Sequence, residues 1–326
     1  MLVFFRNIHF ATAIGIGIVV ALLRLMAFSG QLAPLEVAQG GLLYDDWFGV
    51  WASDPFYSAL MAAVLVFIQA VLVNNLADQF RLLGDRSWLP GYAYAVVATL
   101  LPEFLFLSPA LVAATFIAWS LRFLFFTYKA PKDAMLVFDA ALWLSAASLF
   151  FPQTLLVFPA FFIGVSVMRS WRLRDQISFL AGLFVPVFLG WIWYFWNDLG
   201  AVFRERHLAG LFSWPEVELG METASWVKLF LLGFLLLVYL MNAVQFGGGK
   251  SMLVQKSIAV LYWILFFISV LQILQFGDYW EILILAATPA AIFLAIAYQR
   301  MRPLYAEILN GIILVFMFVV QWMISS

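Results

Sequence analysis

Two adjacent carboxylates, Asp45 and Asp46, stand between aromatics in the stretch Leu43-Tyr44-Asp45-Asp46-Trp47. Such a pair can take a proton from a hydroxyl, hold a cation or bind a sugar. A general base needs only a carboxylate within hydrogen-bond reach of the proton it removes. A solvated turn that caps an interfacial helix would use the same residues. Glu103 follows Pro102 and precedes Leu107-Ser108-Pro109, so a proline break leaves a carboxylate and released backbone carbonyls in one place. A helix-end acid in the headgroup region is the plainer account of it. Farther along, Arg204-Glu205-Arg206-His207 and then Lys228 gather positive charge. Arginine makes bidentate contacts to phosphate and lysine adds a point charge, which suits an anionic headgroup such as a lipid phosphate. Ion pairing inside the loop, to Glu205, Glu216 and Glu218, is the competing account.

Other chemistries are poorly supplied. Histidine occurs only at His9 and His207 and cysteine nowhere, so no metal site, thiol chemistry, disulfide or cofactor is expected. With a formal net charge of -1 and no long Lys/Arg run, nucleic acid is not an expected partner.

The elements that must position these residues follow from composition. Of 326 residues, 66% are hydrophobic and 11% charged, too little polar surface to wrap a water-soluble globule. The reading is an all-α, polytopic transmembrane helix bundle, one integral membrane domain over residues 1–326. About eleven spans are expected, at 8–28, 57–74, 89–106, 109–128, 134–150, 153–168, 176–196, 227–246, 257–276, 282–299 and 304–323. Two long loops remain, 29–56 and 197–225. Leu42, Leu43, Trp47 and Trp51 let the first lie along the bilayer interface. With the amino terminus cytoplasmic, nearly all Lys and Arg fall inside, and Arg204, Arg206 and Lys228 are the outer exceptions. Both long loops and most acids, Glu281 among them, then face outward. Arg6 ahead of an apolar run resembles a signal peptide, but the run's length and the internal Arg24 favour a retained span. Arg24, Asp139 and Glu307 lie within spans, near enough to the ends to snorkel or pair. No repeat suggests the inverted symmetry of a transporter, and no polar cluster is apparent at the midplane.

Two resemblances extend this reading. Gln69-Ala70, Asn74, Arg81-Leu82, Leu89-Pro90, Tyr94, Leu101-Pro102-Glu103 and Leu107-Ser108-Pro109 carry the first. It continues through Phe138-Asp139-Ala140, Ala147-Ser148-Leu149-Phe150 and Pro152. Together they resemble an uncharacterised inner-membrane family of Bacteroidota-type bacteria, from Phe5-Arg6-Asn7 to beyond Pro186. That family has no established activity; its resemblance implies a bacterial inner-membrane location and a gene neighbourhood containing a polyprenol-phosphate mannose synthase. More distantly, the chain resembles GT-C membrane glycosyltransferases, which use polyprenyl-phosphate sugars at the outer face. Asp45-Asp46 match that superfamily's acidic pair, Arg81 to Arg86 its basic inner loop, and Pro102-Glu103 its interrupted turn. The resemblance implies Asp45, Asp46 and Glu103 as catalytic candidates, with Arg204, Arg206, His207 and Lys228 on the lipid phosphate. The chain departs from the larger enzymes in having no soluble outer domain, and some members of the smaller family lack the acidic pair. Two other functions therefore stand beside transfer: a non-catalytic subunit binding protein partners in an envelope complex, and a lipid or small-solute transporter.

Overall fold

The computed structural model describes residues 2–6, 10–30, 32, 40–130, 133–170, 172–212, 233, 251–274 and 280–325. Among these residues the chain is helical, with no strand. The main helices are α1 (Phe10–Leu23), α2 (Leu42–Ala52), α3 (Pro55–Gln79), α4 (Leu89–Val97), α5 (Pro109–Lys129), α6 (Met135–Phe150), α7 (Phe158–Met168), α8 (Leu173–Trp196), α9 (Met252–Leu274), α10 (Ala287–Arg300) and α11 (Pro303–Ser325). Local chemistry sets several starts. The Asp54 side chain accepts from the amides of Phe56 and Tyr57 ahead of Pro55, and Ser108 accepts from the Leu111 amide ahead of Pro109.

Six described stretches are long and apolar enough to cross a membrane: Pro55–Gln79, Pro109–Lys129, Leu173–Trp196, Met252–Leu274, Trp280–Arg300 and Pro303–Trp322. Their outer faces suit hydrocarbon. Leu180, Phe184, Trp193 and Phe195 of α8, and Ile308, Ile312, Val315 and Val319 of α11, are all exposed. Contiguous apolar faces of this extent do not persist in water. The expected span 227–246 lies outside the described residues, apart from Gly233.

The expected span 89–106 is not one helix. α4 has nine residues and is about 13 Å long, well short of a bilayer core of about 30 Å. It does not need to reach lipid, because all nine are buried among α1, α3 and α10. A helix broken inside a membrane needs new donors for its released carbonyls. Arg24, fully buried, supplies them. Its guanidinium donates to the carbonyls of Leu105 (2.7 Å), Phe104 (2.9 Å) and Ala98 (3.2 Å), and the Gln321 amide donates to Thr99 O at 3.0 Å. Arg24 therefore does not snorkel. Glu307 pairs structurally, accepting from the Leu2 amide at 2.7 Å.

Three helix hairpins share one design. A short 3-10 segment, Pro102–Phe104, Pro152–Val157 or Trp280–Ala286, precedes a proline-bearing helix. The sequence recurs with it: Pro102-Glu103 before Pro109-Ala110, Pro152-Gln153 before Pro159-Ala160, and Trp280-Glu281 before Pro289-Ala290. The pattern is too short to make whole spans resemble one another. Pro102–Phe104 packs against Trp280–Ala286, while Pro152–Val157 packs on α6 and α9. Irregular backbone is tolerated at membrane depth when protein covers it, and most of these residues are buried.

Uncharged polar networks also tie the core. Tyr94 donates to Gln69 Oε1 (2.9 Å), whose amide donates to Leu111 O (2.8 Å) and Thr115 Oγ1 (2.7 Å). Tyr92 and Tyr298 both donate to Asn310 Oδ1, at 2.9 and 3.0 Å. Helices α6 and α8 make the most extensive helix contact. At Gly182 a side chain would run into Phe138 O and the Ala141 side chain. Gly182→Leu is expected to destabilise the bundle by at least about 2 kcal/mol, because backbone cannot yield as a side chain does. A wild-type melting midpoint for this variant in detergent would refute that close packing.

Candidate functional site

Helix α2 is planted on the bundle at its first residue. The Gly41 amide donates to Phe150 O at 2.7 Å, and a Cβ on Gly41 would sit 2.5 Å from Leu149 O. Only glycine lets α2 start so close to the end of α6. The inward side chains are Leu42 and Tyr44. The Tyr44 hydroxyl donates to Leu107 O at 2.9 Å, which ties α2 to the turn bearing Glu103. Asp45 and Asp46 consequently face outward near the N-terminus of α2, where free N–H groups favour negative charge.

Partners reach both acids from α8 and the segment after it. Arg206 Nη1 lies 2.6 Å from Asp45 Oδ2, with the side chains 46% and 47% exposed. The Tyr194 hydroxyl lies 3.1 Å from Asp46 Oδ2 and 2.9 Å from Leu42 O; its single proton serves one acceptor at a time. An ion pair this exposed is worth roughly 0–1 kcal/mol, so another anion can displace Asp45 from Arg206 at little cost.

Arg206 and His207 diverge because neighbouring side chains on a helical turn point about 100° apart; both lie in the π-helical segment Arg204–Ala209 that follows the turn Gly200–Phe203. Arg204 and Arg206 are exposed, whereas His207 is fully buried with its ring 5.2 Å from that of Phe203. Neither His207 nitrogen has a hydrogen-bond partner among the described residues, and burial pushes its pKa down to about 4. Neutral at pH 7, it offers a phosphate no positive charge. Lys228, the remaining predicted phosphate contact, lies outside the described residues.

Burial of His207 has a pH signature. Between its ordinary value near 6.5 and about 4, the unfolded chain binds a proton that the native chain does not. Stability contributed by neutral His207 is therefore complete above pH 6.5 and lost as pH falls towards 4, by roughly 3 kcal/mol. Thermal melts from pH 7 to 4.5 are expected to fall less steeply for His207→Leu than for wild type. Parallel slopes would show that His207 is protonated equally in both states.

Glu103 is half-buried in Pro102–Phe104, and the facing Trp280–Ala286 carries buried Glu281. Burial pushes the Tyr44 phenol well above its ordinary value, and the charges of Glu281 and Asp45 push it further. Glu281 is thus within electrostatic reach of α2. In the sequence Glu281 is one more loop acid, marked only by the recurrence of Trp280-Glu281 before Pro289-Ala290.

Beside Asp46, helices α2, α6 and α8 border an open apolar cavity of about 350 Å³, lined by Leu42, Leu43, Leu142, Leu149, Pro186 and Trp193 among others. Tyr194 and Leu42 belong both to its wall and to the polar contacts of Asp46. A charged rim therefore adjoins an apolar slot. No group of three or more metal-ligating side chains occurs among the described residues. Comparison of the chain with protein-family models, with curated proteins and with solved structures finds no significant match to any of them.

Proposed function

We propose that this chain handles polyprenyl-phosphate-linked sugar at the outer face of a bacterial inner membrane, as a GT-C-like inverting glycosyltransferase. The observation that carries the reading is the Asp45–Arg206 pair beside the apolar cavity of α2, α6 and α8. A lipid-linked sugar has matching parts: an isoprenoid tail for the apolar slot, a phosphate for arginine and a sugar beside a carboxylate.

Chemistry follows from exchange of partners. A phosphate that takes Arg206 frees the Asp45 carboxylate, so donor binding itself unmasks a base. Asp45 or Asp46 removes the proton from an acceptor hydroxyl as its oxygen attacks the anomeric carbon opposite the phosphate. The carbon–oxygen bond to phosphate breaks, and Arg206, with Arg204 and Lys228, neutralises the charge that develops on the leaving lipid phosphate. Attack from the opposite face inverts the sugar carbon. Glu103, on the turn that the Tyr44 hydroxyl ties to α2, is the secondary acid. The eleven-span topology with a cytoplasmic amino terminus belongs to this same proposal.

The test is turnover of radiolabelled polyprenyl-phosphate sugars by purified protein in proteoliposomes, with cell extract supplying acceptors. Transfer of label from lipid to a water-soluble or lipid acceptor is the expected result; intact donor across a panel of sugars would defeat the reading. The rival is a non-catalytic envelope subunit, favoured by the exposed aromatic row of α8. There the rings of Phe184, Phe188, Trp191 and Phe195 stack in succession at 4.9, 6.0 and 5.4 Å between centroids. A partner that copurifies and is released by Trp191→Ala, together with no turnover, would establish that reading instead.

A further inference from the structure

A second cavity lies at the far end of α3 from the acids. α3 has 25 residues and is about 37 Å long, so Asn75 and Gln79 near its C-terminus are a bilayer's thickness away from Asp54 and α2. There a cavity of about 370 Å³ opens between α3, α5 and the following loop. Asn75, Gln79, Arg86 and Arg122 supply its polar lining, and Leu72 and Trp119 part of its apolar wall.

Its charge is lopsided. No carboxylate lines the cavity, and neither guanidinium forms an ion pair or hydrogen bond among the described residues. Asp78 lies within electrostatic range of Arg86 but beyond ion-pair distance. The Arg122 guanidinium lies over the ring of Trp119 at 5.1 Å and near that of Phe126 at 5.8 Å. These rings hold the fork in place and leave its N–H groups available. Two guanidinium forks with side-chain amides beside them match the oxygens of a phosphate diester and its polar headgroup. Leucine and tryptophan on the same wall match an acyl chain. Basic pockets between membrane helices at headgroup depth bind anionic lipids in this way.

We propose that this cavity binds the headgroup of an anionic phospholipid, Arg86 and Arg122 on its phosphate and its chain against Leu72 and Trp119. The site is separate from the Asp45 rim and holds whether or not the chain transfers sugar.

The test is titration of fluorescent phosphatidylglycerol against the full chain in phosphatidylcholine nanodiscs. Wild type is expected to bind it saturably, and more weakly as salt rises. Arg86→Gln and Arg122→Gln are each expected to weaken binding about tenfold, the cost of losing one charge-assisted contact. Arg86 is exposed, so its variant should melt like wild type in phosphatidylcholine alone, separating loss of the site from loss of the fold. Saturable binding that both variants retain at full strength would overturn the proposal, as would no preference over phosphatidylcholine. Displacement of the labelled lipid by millimolar inorganic phosphate would reassign the cavity to a soluble phosphate and also overturn it.

Discussion

Asp45→Asn is expected to lower transfer from a polyprenyl-phosphate sugar by about 10²- to 10⁴-fold, the range for removing a general base. The substitution keeps the size of the side chain and its place near the start of α2. It removes the charge that Arg206 holds at 2.6 Å and, with it, the proposed proton acceptor. Because that pair is exposed, stability should change by no more than about 1 kcal/mol, and folded variant can be compared directly with wild type. Asp46→Asn tests the second carboxylate of the pair, which Tyr194 rather than arginine contacts. Arg206→Gln is expected to weaken donor binding and slow transfer together, since in the proposed reaction arginine meets the phosphate in both ground and transition states. Full activity in both Asp45→Asn and Asp46→Asn would remove the base from α2 and the catalytic reading with it.

Arg24→Leu is expected to leave almost no folded protein. Arg24 is fully buried and donates to three carbonyls that the end of α4 and the Pro102–Phe104 turn release. Leucine fills part of the space but leaves those oxygens without a donor at membrane depth, where water is scarce. Each charge-assisted bond is worth about 1.5–3 kcal/mol, so the loss exceeds about 4 kcal/mol, a large part of a typical domain's stability. Gel filtration in mild detergent should show aggregate in place of a single peak. Arg24→Lys, which keeps the charge but not the fork, should fall between the two. A monodisperse Arg24→Leu with an unchanged melting midpoint would show that other donors serve those carbonyls.

Much of the fold was legible because lipid imposes a simple rule on sequence. Apolar runs near 20 residues between polar breaks located α3, α5, α8, α9 and α11, with ends displaced by up to five residues at the C-terminus of α3 and the N-terminus of α9. Hydropathy averages over a window and carries no information on backbone continuity, so 89–106 read as one span although it breaks at Ala98. For the same reason the 3-10 segments at Pro152–Val157 and Trp280–Ala286 merged with the helices that follow them. The buried networks around Gln69 and Asn310 were invisible because their members are far apart in the chain and meet only on folding.

By itself the sequence determined an all-helical architecture, the stretches apolar enough for a membrane, and the residue types able to carry charge at its surface. Those properties depend on local composition, and each residue contributes independently of its neighbours in space. Tertiary structure alone decided which charges meet. It brought Arg206 to Asp45 across 161 positions of chain, buried His207 while leaving its neighbour Arg206 exposed, and set Arg24 on the carbonyls of a broken helix. It also placed an apolar cavity beside one acid and left two arginines without ionic partners at the opposite end of α3. The physical reason is that hydrogen bonds and ion pairs act over about 3 Å. Only the packing of helices, which depends on residues such as Gly41 and Gly182 that carry no chemistry of their own, brings groups that close.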